Sequence, residues 1–195
     1  MRISKSRNTH RQVAYTVELS EYDAEPPTRT WLLDALPDKI NPELEAVALY
    51  LIFGPWCGGE FVVPQKMGPN TASAISAHAG MDFFSNPIEY YPKPIFRGAR
   101  SIRLATTMAD NDRDSLVSLS SSSWSGSLKS PASLIVSSNS ELFACLGETI
   151  RPHLAVALLL AEELNLGAIR LDITAGDIDS GLADLLRQVG VLLCW

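Results

Sequence analysis

The last third of the chain alternates short apolar runs with amphipathic stretches, and this pattern constrains the fold more than any other feature. Residues 134–136 read as a buried strand, 148–164 as a helix, 168–173 as a strand, 180–189 as a helix and 191–195 as a final strand. Pro152 suits the first turn of the long helix, where no backbone N–H is needed. Gly167 and Gly190 are placed to end helices. Strand, helix, strand, helix, strand is the pattern of parallel strands joined by helical crossovers. The final run, Val191-Leu192-Leu193-Cys194-Trp195, carries no charge. Leu192, Leu193 and Trp195 are therefore expected to be buried, either in the domain's own sheet or against another chain.

Upstream, Val13, Tyr15, Val17 and Leu19 alternate with polar neighbours, which predicts a strand over 13–19. Residues 30–36 read as a short helix closed by Pro37. Residues 41–53 read as a longer one. Asn41 is a suitable N-cap, Pro42 fits the first helical position, and Glu43 and Glu45 favour the positive end of the helix dipole. Residues 61–63 predict a strand, and 70–79 a helix of small residues ending at Gly80. The segment 85–94 holds Pro87, Pro92 and Pro94, which predicts an exposed loop or an edge strand. Residues 101–107 and 115–124 read as strands. The fold class is α/β, or α+β: a mixed sheet with helices packed on it and a C-terminal half of βαβαβ type.

A chain of 195 residues can bury a sufficient core as one domain, expected over 13–195. Residues 1–12 read differently. Arg2, Lys5, Arg7 and Arg11 give the first eleven residues a charge of +4 without any acid, so with a net charge of −6 the rest carries −10. This predicts a flexible basic arm on an acidic body, able to reach a phosphate backbone or an acidic protein patch. The acidic body argues against broad nucleic-acid binding, which needs a basic face.

The 3 cysteines, Cys57, Cys145 and Cys194, are sparse and odd in number, so a disulfide framework is not expected. Neither they nor His10, His78 and His153 have metal-ligand spacing, and no metal site is assigned. The longest apolar run, 154–161, is too short to span a bilayer. A soluble cytoplasmic protein is expected, and the sequence identifies no cofactor.

Four stretches could carry chemistry. In Gly54-Pro55-Trp56-Cys57-Gly58-Gly59 a cysteine stands among backbone amides that could lower its pKa, with His78 and Asp82 further on as base and orienting acid. A tight turn with Cys57 packed under Trp56 competes with that reading. Asp110, Asp112 and Asp114 match the opening of a calcium loop, but Ser115 and Ser121 stand where its glycine and bidentate glutamate belong. A turn suits this stretch better. Asp172, at the end of a predicted parallel strand, together with Asp177, Ser138 and Asn139, could hold a phosphorylated ligand or nucleotide. The serine-glycine-glycine core and aspartate of ATP-pyrophosphatase phosphate loops are absent, so that family is not assigned, and capping and turn formation explain these residues better. Arg97, Arg100 and Arg103, interleaved with Tyr90, Tyr91 and Phe96, could clamp a single strand, or simply snorkel along an edge.

No catalytic motif is complete. Together with the low charged fraction of 19% and the apolar final strand, this points first to an interaction or accessory subunit. The expected partner is another protein or a second copy. An enzyme acting on a nucleotide or phosphate ligand, a Cys57-based hydrolase or transferase, and a nucleic-acid-binding module are the alternatives.

Overall fold

The computed structural model describes residues 1–9, 12–80, 83–92, 94–108, 113–123, 126–130, 133–145, 149–172 and 179–195, except for the side chain of residue 180. Among these residues a mixed eleven-stranded sheet carries four α-helices. In chain order the elements are β1 (Arg2–Arg7), β2 (Val13–Glu18), β3 (Thr30–Leu33), α1 (Pro42–Phe53), β4 (Glu60–Met67), α2 (Pro69–Ala79), β5 (Phe84–Ile88), β6 (Arg100–Ala105), β7 (Ser115–Ser120), β8 (Ser127–Lys129), β9 (Ser133–Ser138), α3 (Ile150–Leu164), β10 (Leu166–Arg170), α4 (Ser180–Gln188) and β11 (Leu192–Cys194).

The strand order is β11-β10-β6-β7-β9-β3-β2-β1-β4-β5, with β8 beside β9. It reads the same from either edge inwards. With β8 left out, each half places its strands as fifth, fourth, first, second, third, and each follows its third strand with helix, strand, helix, strand. The halves differ in direction: β1, β2 and β3 form an antiparallel meander, whereas β6, β7 and β9 are parallel. The C-terminal half is thus the βαβαβ unit expected from its pattern, with β10 parallel to both β6 and β11.

Helices α1 and α3 lie against each other and the sheet, while α2 packs on α1, β5 and α4, and α4 on β11. Helix α1 is buried without interruption from Leu44 to Phe53 and α3 from Leu154 to Ala161. A helix apolar all round has no solvated face, so it belongs inside. One apolar core, including Ile3, Tyr15 and Trp31 of the first half and Leu116, Leu158 and Ile169 of the second, runs under both.

Four expectations are corrected. The basic N-terminal segment is not an arm: residues 2–7 are β1, paired with β2 along its length and touching β4. Two of its four cations bond within the fold, and Arg11 lies outside the described residues. Lys5 Nζ donates to Glu45 Oε1 at 2.8 Å, and Arg7 pairs with Asp38 and donates to the carbonyls of Leu36 and Pro37. Residues 30–36 are not a helix, because Trp31 and Leu33 are buried while Leu32 between them is exposed, a period of two. Finally, Leu192 on the edge strand β11 and Trp195 just after it are not buried: they are 51% and 60% exposed. Helix α3 also stops earlier than Gly167, at Asn165 in the left-handed conformation, and Gly167 lies within β10.

The halves meet at a narrow seam. Strands β3 and β9 share one bridge, Leu33 with Ser138. Side chains complete the junction. Asn139 Oδ1 accepts from Leu32 N at 2.7 Å, its Nδ2 donates to Thr30 O at 2.9 Å, and Trp31 Nε1 donates to Ser140 Oγ at 2.8 Å. Asn139 thus does with its amide what a neighbouring strand would do with its backbone.

Candidate functional site

The ends of all four helices meet at a cavity of about 310 Å3, whose walls include Tyr50 and Gly54 from the end of α1, Cys57, His78 from the last turn of α2, Arg151 from the first turn of α3, and Asp179, the N-cap of α4. Local sequence explains each placement. Gly54-Pro55 ends α1 in a short 3-10 turn that delivers Cys57, and Gly80 in the left-handed conformation ends α2 just after His78.

His78 is held from two sides. Its Nδ1 lies 2.7 Å from Tyr50 Oη and its Nε2 3.3 Å from Asp179 Oδ2, with the side chain only 6% exposed. If Nδ1 accepts the tyrosine proton, the neutral ring carries its own proton on Nε2, the ring atom nearer Asp179. Asp179 does double duty, because its Oδ1 also accepts from Gly181 N at 3.0 Å to cap α4. The imidazole therefore braces α1, α2 and α4 together.

Cys57 shares the cavity wall but lacks the environment of a nucleophile. It is 5% exposed, and its thiol donates to Glu60 O at 3.3 Å. Burial pushes the thiol pKa up, outweighing the lowering by the Gly59 amide and the amino terminus, and Asp23 adds a smaller raise. A reactive cysteine needs the opposite balance. The structure thus brings together two members of the expected Cys57, His78 and Asp82 set, and supplies Tyr50 and Asp179 as the neighbours of His78. Asp82 lies outside the described residues.

The other candidates are placed as follows. Ser138 and Asn139 are buried in the seam, where Ser138 Oγ bonds to Ser140 Oγ at 2.7 Å and Asn139 bridges the half-sheets. They present no loop to a phosphate. Asp172 is ion-paired with Arg103, and Asp177 lies outside the described residues. Arg100 pairs with Asp114, so two of the three arginines proposed for nucleic acid are answered by acids, while Arg97 is exposed on the segment before β6. Of the calcium-like stretch, Asp110 and Asp112 lie outside the described residues. Among those described, no group of three or more His, Cys, Asp or Glu side chains could hold a metal ion, and no helix is long and apolar enough to cross a membrane.

Two polar clusters were not legible in the sequence. Glu45, 1% exposed in α1, accepts from Lys5 Nζ at 2.8 Å, Tyr15 Oη at 2.6 Å and Gln65 Nε2 at 2.6 Å. Burial, then the Glu45 charge, pushes the Tyr15 phenol far above its usual range. His153 Nδ1 of α3 lies 2.8 Å from Ser118 Oγ of β7. Burial pushes the His153 pKa down, partly opposed by Glu141. A glutamate in a helix's first turn and a serine in a strand are ordinary local choices, so nothing in the sequence marked them.

The remaining feature is the β11 edge. No described strand pairs with its outer side.

No family model, curated protein or solved structure matches the chain.

Its function is read from its own surfaces, and the two that stand out are the braced cavity and the open edge.

Proposed function

We propose that the chain is an interaction subunit that docks through the edge strand β11. The observation that carries this reading is the exposure of Leu192 and Trp195, 51% and 60%, on a strand edge without charge or proline from residue 191 to 195. An open edge offers unpaired N–H and C=O groups to any passing strand, and proteins usually guard it with proline or lysine. The opposite edge, β5, occupies the equivalent fifth position of its half and contains Pro87, which has no N–H to offer. Among the described strands the β11 edge is apolar and has no such guard, as expected where a partner covers it. The Cys57-based reading has less support, because its thiol is held protonated and buried. The phosphate-ligand reading has less as well, because Ser138, Asn139 and Asp172 are engaged in the structure itself.

The test is the native size of the tagged chain in an extract of its own cells, compared with Leu192→Lys. Leu192 is exposed, so the lysine leaves the core untouched. The reading expects a wild-type mass well above the 21.2 kDa monomer and a monomeric variant. Monomer mass for both proteins overturns it.

A further inference from the structure

We propose that a cleft between β1 and β4 binds a free amino acid. The site lies in the other half of the sheet from β11, and it stands or falls independently of docking there.

The cleft opens for a local reason. Strands β1 and β4 are parallel and share one bridge, Arg2 with Val62, where Val62 N donates to Met1 O at 2.9 Å. Donors that face one neighbour recur at every second residue of a strand. The next on β4 therefore falls at Pro64, which has no N–H, and the ladder stops. Beyond it, towards the carboxyl ends of the two strands, lies a cavity of about 520 Å3 whose walls include Lys5, Pro64 and Gln65. The strand order reverses here, with β2 on one side of β1 and β4 on the other. Open α/β sheets take their ligands at such places.

The wall is built on a buried charge. Glu45 is 1% exposed, and a carboxylate this deep is costly unless donors answer it. Lys5 Nζ, Tyr15 Oη and Gln65 Nε2 do so. Because the carboxylate only accepts, it fixes the Gln65 amide with Nε2 inwards, and Nε2 also donates to Ile40 O at 3.3 Å. Gln65 Oε1 is thereby kept as an acceptor. Lys5 spends one proton on Glu45 and keeps two for the cavity.

Charge selects the ligand. Among the described residues, Lys5, Asp38, Lys39 and Glu162 are the charged side chains that line the cavity. Lys5 is paired with Glu45, and Asp38 with Arg7. Lys39, just before α1, and Glu162, near the end of α3, are exposed and have no ion-pair or hydrogen-bond partner among the described side chains. The unanswered charges are thus one of each sign. A simple anion would meet Glu162, and a simple cation would meet Lys39, whereas a zwitterion answers both. An amino acid's carboxylate accepts from Lys39 and Lys5, and its ammonium donates to Glu162 and Gln65 Oε1. Its side chain rests on Ile40 and Pro42, which also line the cavity.

The experiment titrates the purified full chain by calorimetry with each standard L-amino acid. The expected result is saturable binding of at least one, with a dissociation constant below about 1 mM. The matching amine, which lacks the carboxylate, and the matching carboxylic acid, which lacks the ammonium, should each bind about tenfold or more weakly. Lys39→Gln should weaken the amino acid and remove its advantage over the amine. Glu162→Gln should weaken it and remove its advantage over the carboxylic acid. Both positions are exposed, so the unfolding midpoint of the unliganded protein should stay as in wild type. The proposal is overturned if no amino acid binds saturably up to about 10 mM, or if the one that binds is matched by its amine or its acid. Binding indifferent to both substitutions overturns it too.

Discussion

His153 shows how a single buried group makes stability depend on pH. Its folded pKa lies below the ordinary 6.5 because burial disfavours the imidazolium. Above pH 6.5 the ring is neutral in both folded and unfolded chains and contributes nothing to the pH dependence. As the pH falls through 6.5 the unfolded chain binds the proton first, so stability drops. The difference in unfolding free energy between wild type and His153→Gln, followed from pH 8 to 5, should shrink below pH 6.5, and a constant difference would rule this account out. Asp23 acts in a separate window. Burial raises its pKa, but hydrogen bonds from the amino terminus, Gly58 and Ser20 outweigh that and bring it from 3.8 to about 2. Its contribution is complete above pH 3.8 and lost only as the pH falls towards about 2. At the same scale, Cys57 should resist a disulfide probe such as DTNB in the folded protein while Cys194 reacts at once. Equal labelling rates would restore Cys57 as a candidate nucleophile.

At the scale of elements, the helices form where local rules agree. Asn41 caps α1 by accepting from Glu43 N at 3.0 Å, and Pro42 opens it. Asp179 caps α4 in the same way but also faces His78, so its two roles can be separated. Asp179→Ala should cost about 1 kcal/mol from the lost cap and more from the lost brace. Asp179→Asn keeps the cap and loses only the charge opposite His78. Urea midpoints of the two variants, each with and without His78→Gln, measure the coupling. If the two aspartate variants respond identically to the histidine change, the brace has no energetic meaning. Strand β3 teaches the opposite lesson. Trp31, Leu32 and Leu33 are apolar in succession, so the sequence offers no period. Only the sheet, by burying Trp31 and Leu33 and leaving Leu32 out, makes the segment extended.

For the whole molecule, the question is whether two half-sheets joined by one bridge act as one unit. The core is shared across the seam, with α1 packed on α3, which favours a single cooperative transition. Asn139→Ala removes both amide bonds across the seam and should cost about 2 kcal/mol. It should shift circular dichroism and tryptophan fluorescence transitions together. Separate transitions would show that the halves unfold independently. Electrostatics at this scale gives a further expectation. With a net charge of −6 and Arg7, Arg100 and Arg103 already paired, duplex DNA should not be retained at physiological salt. Binding with a steep salt dependence would show a basic face that these pairings do not leave.

The sequence by itself determined the α/β class, the C-terminal βαβαβ unit, α1 with its cap, α2 with its terminal glycine, and the edge position of the proline-bearing segment. These are set by periodicity and by residues whose backbone preferences act within a turn. Tertiary structure decided the rest. Strand β1 pairs with β2 along its length and buries Ile3, and its Lys5 meets Glu45, forty residues away, a pairing no local pattern encodes. Cys57 and His78 do reach one cavity, but the residues that govern them, Glu60 and Asp23 for the thiol, Tyr50 and Asp179 for the imidazole, come from other elements. The serine and asparagine that looked suited to phosphate bind backbone instead, because the seam leaves β3 short of a partner. The apolar final strand was legible as something to be covered. Only the fold shows that β10 covers one side, while no described strand covers the other.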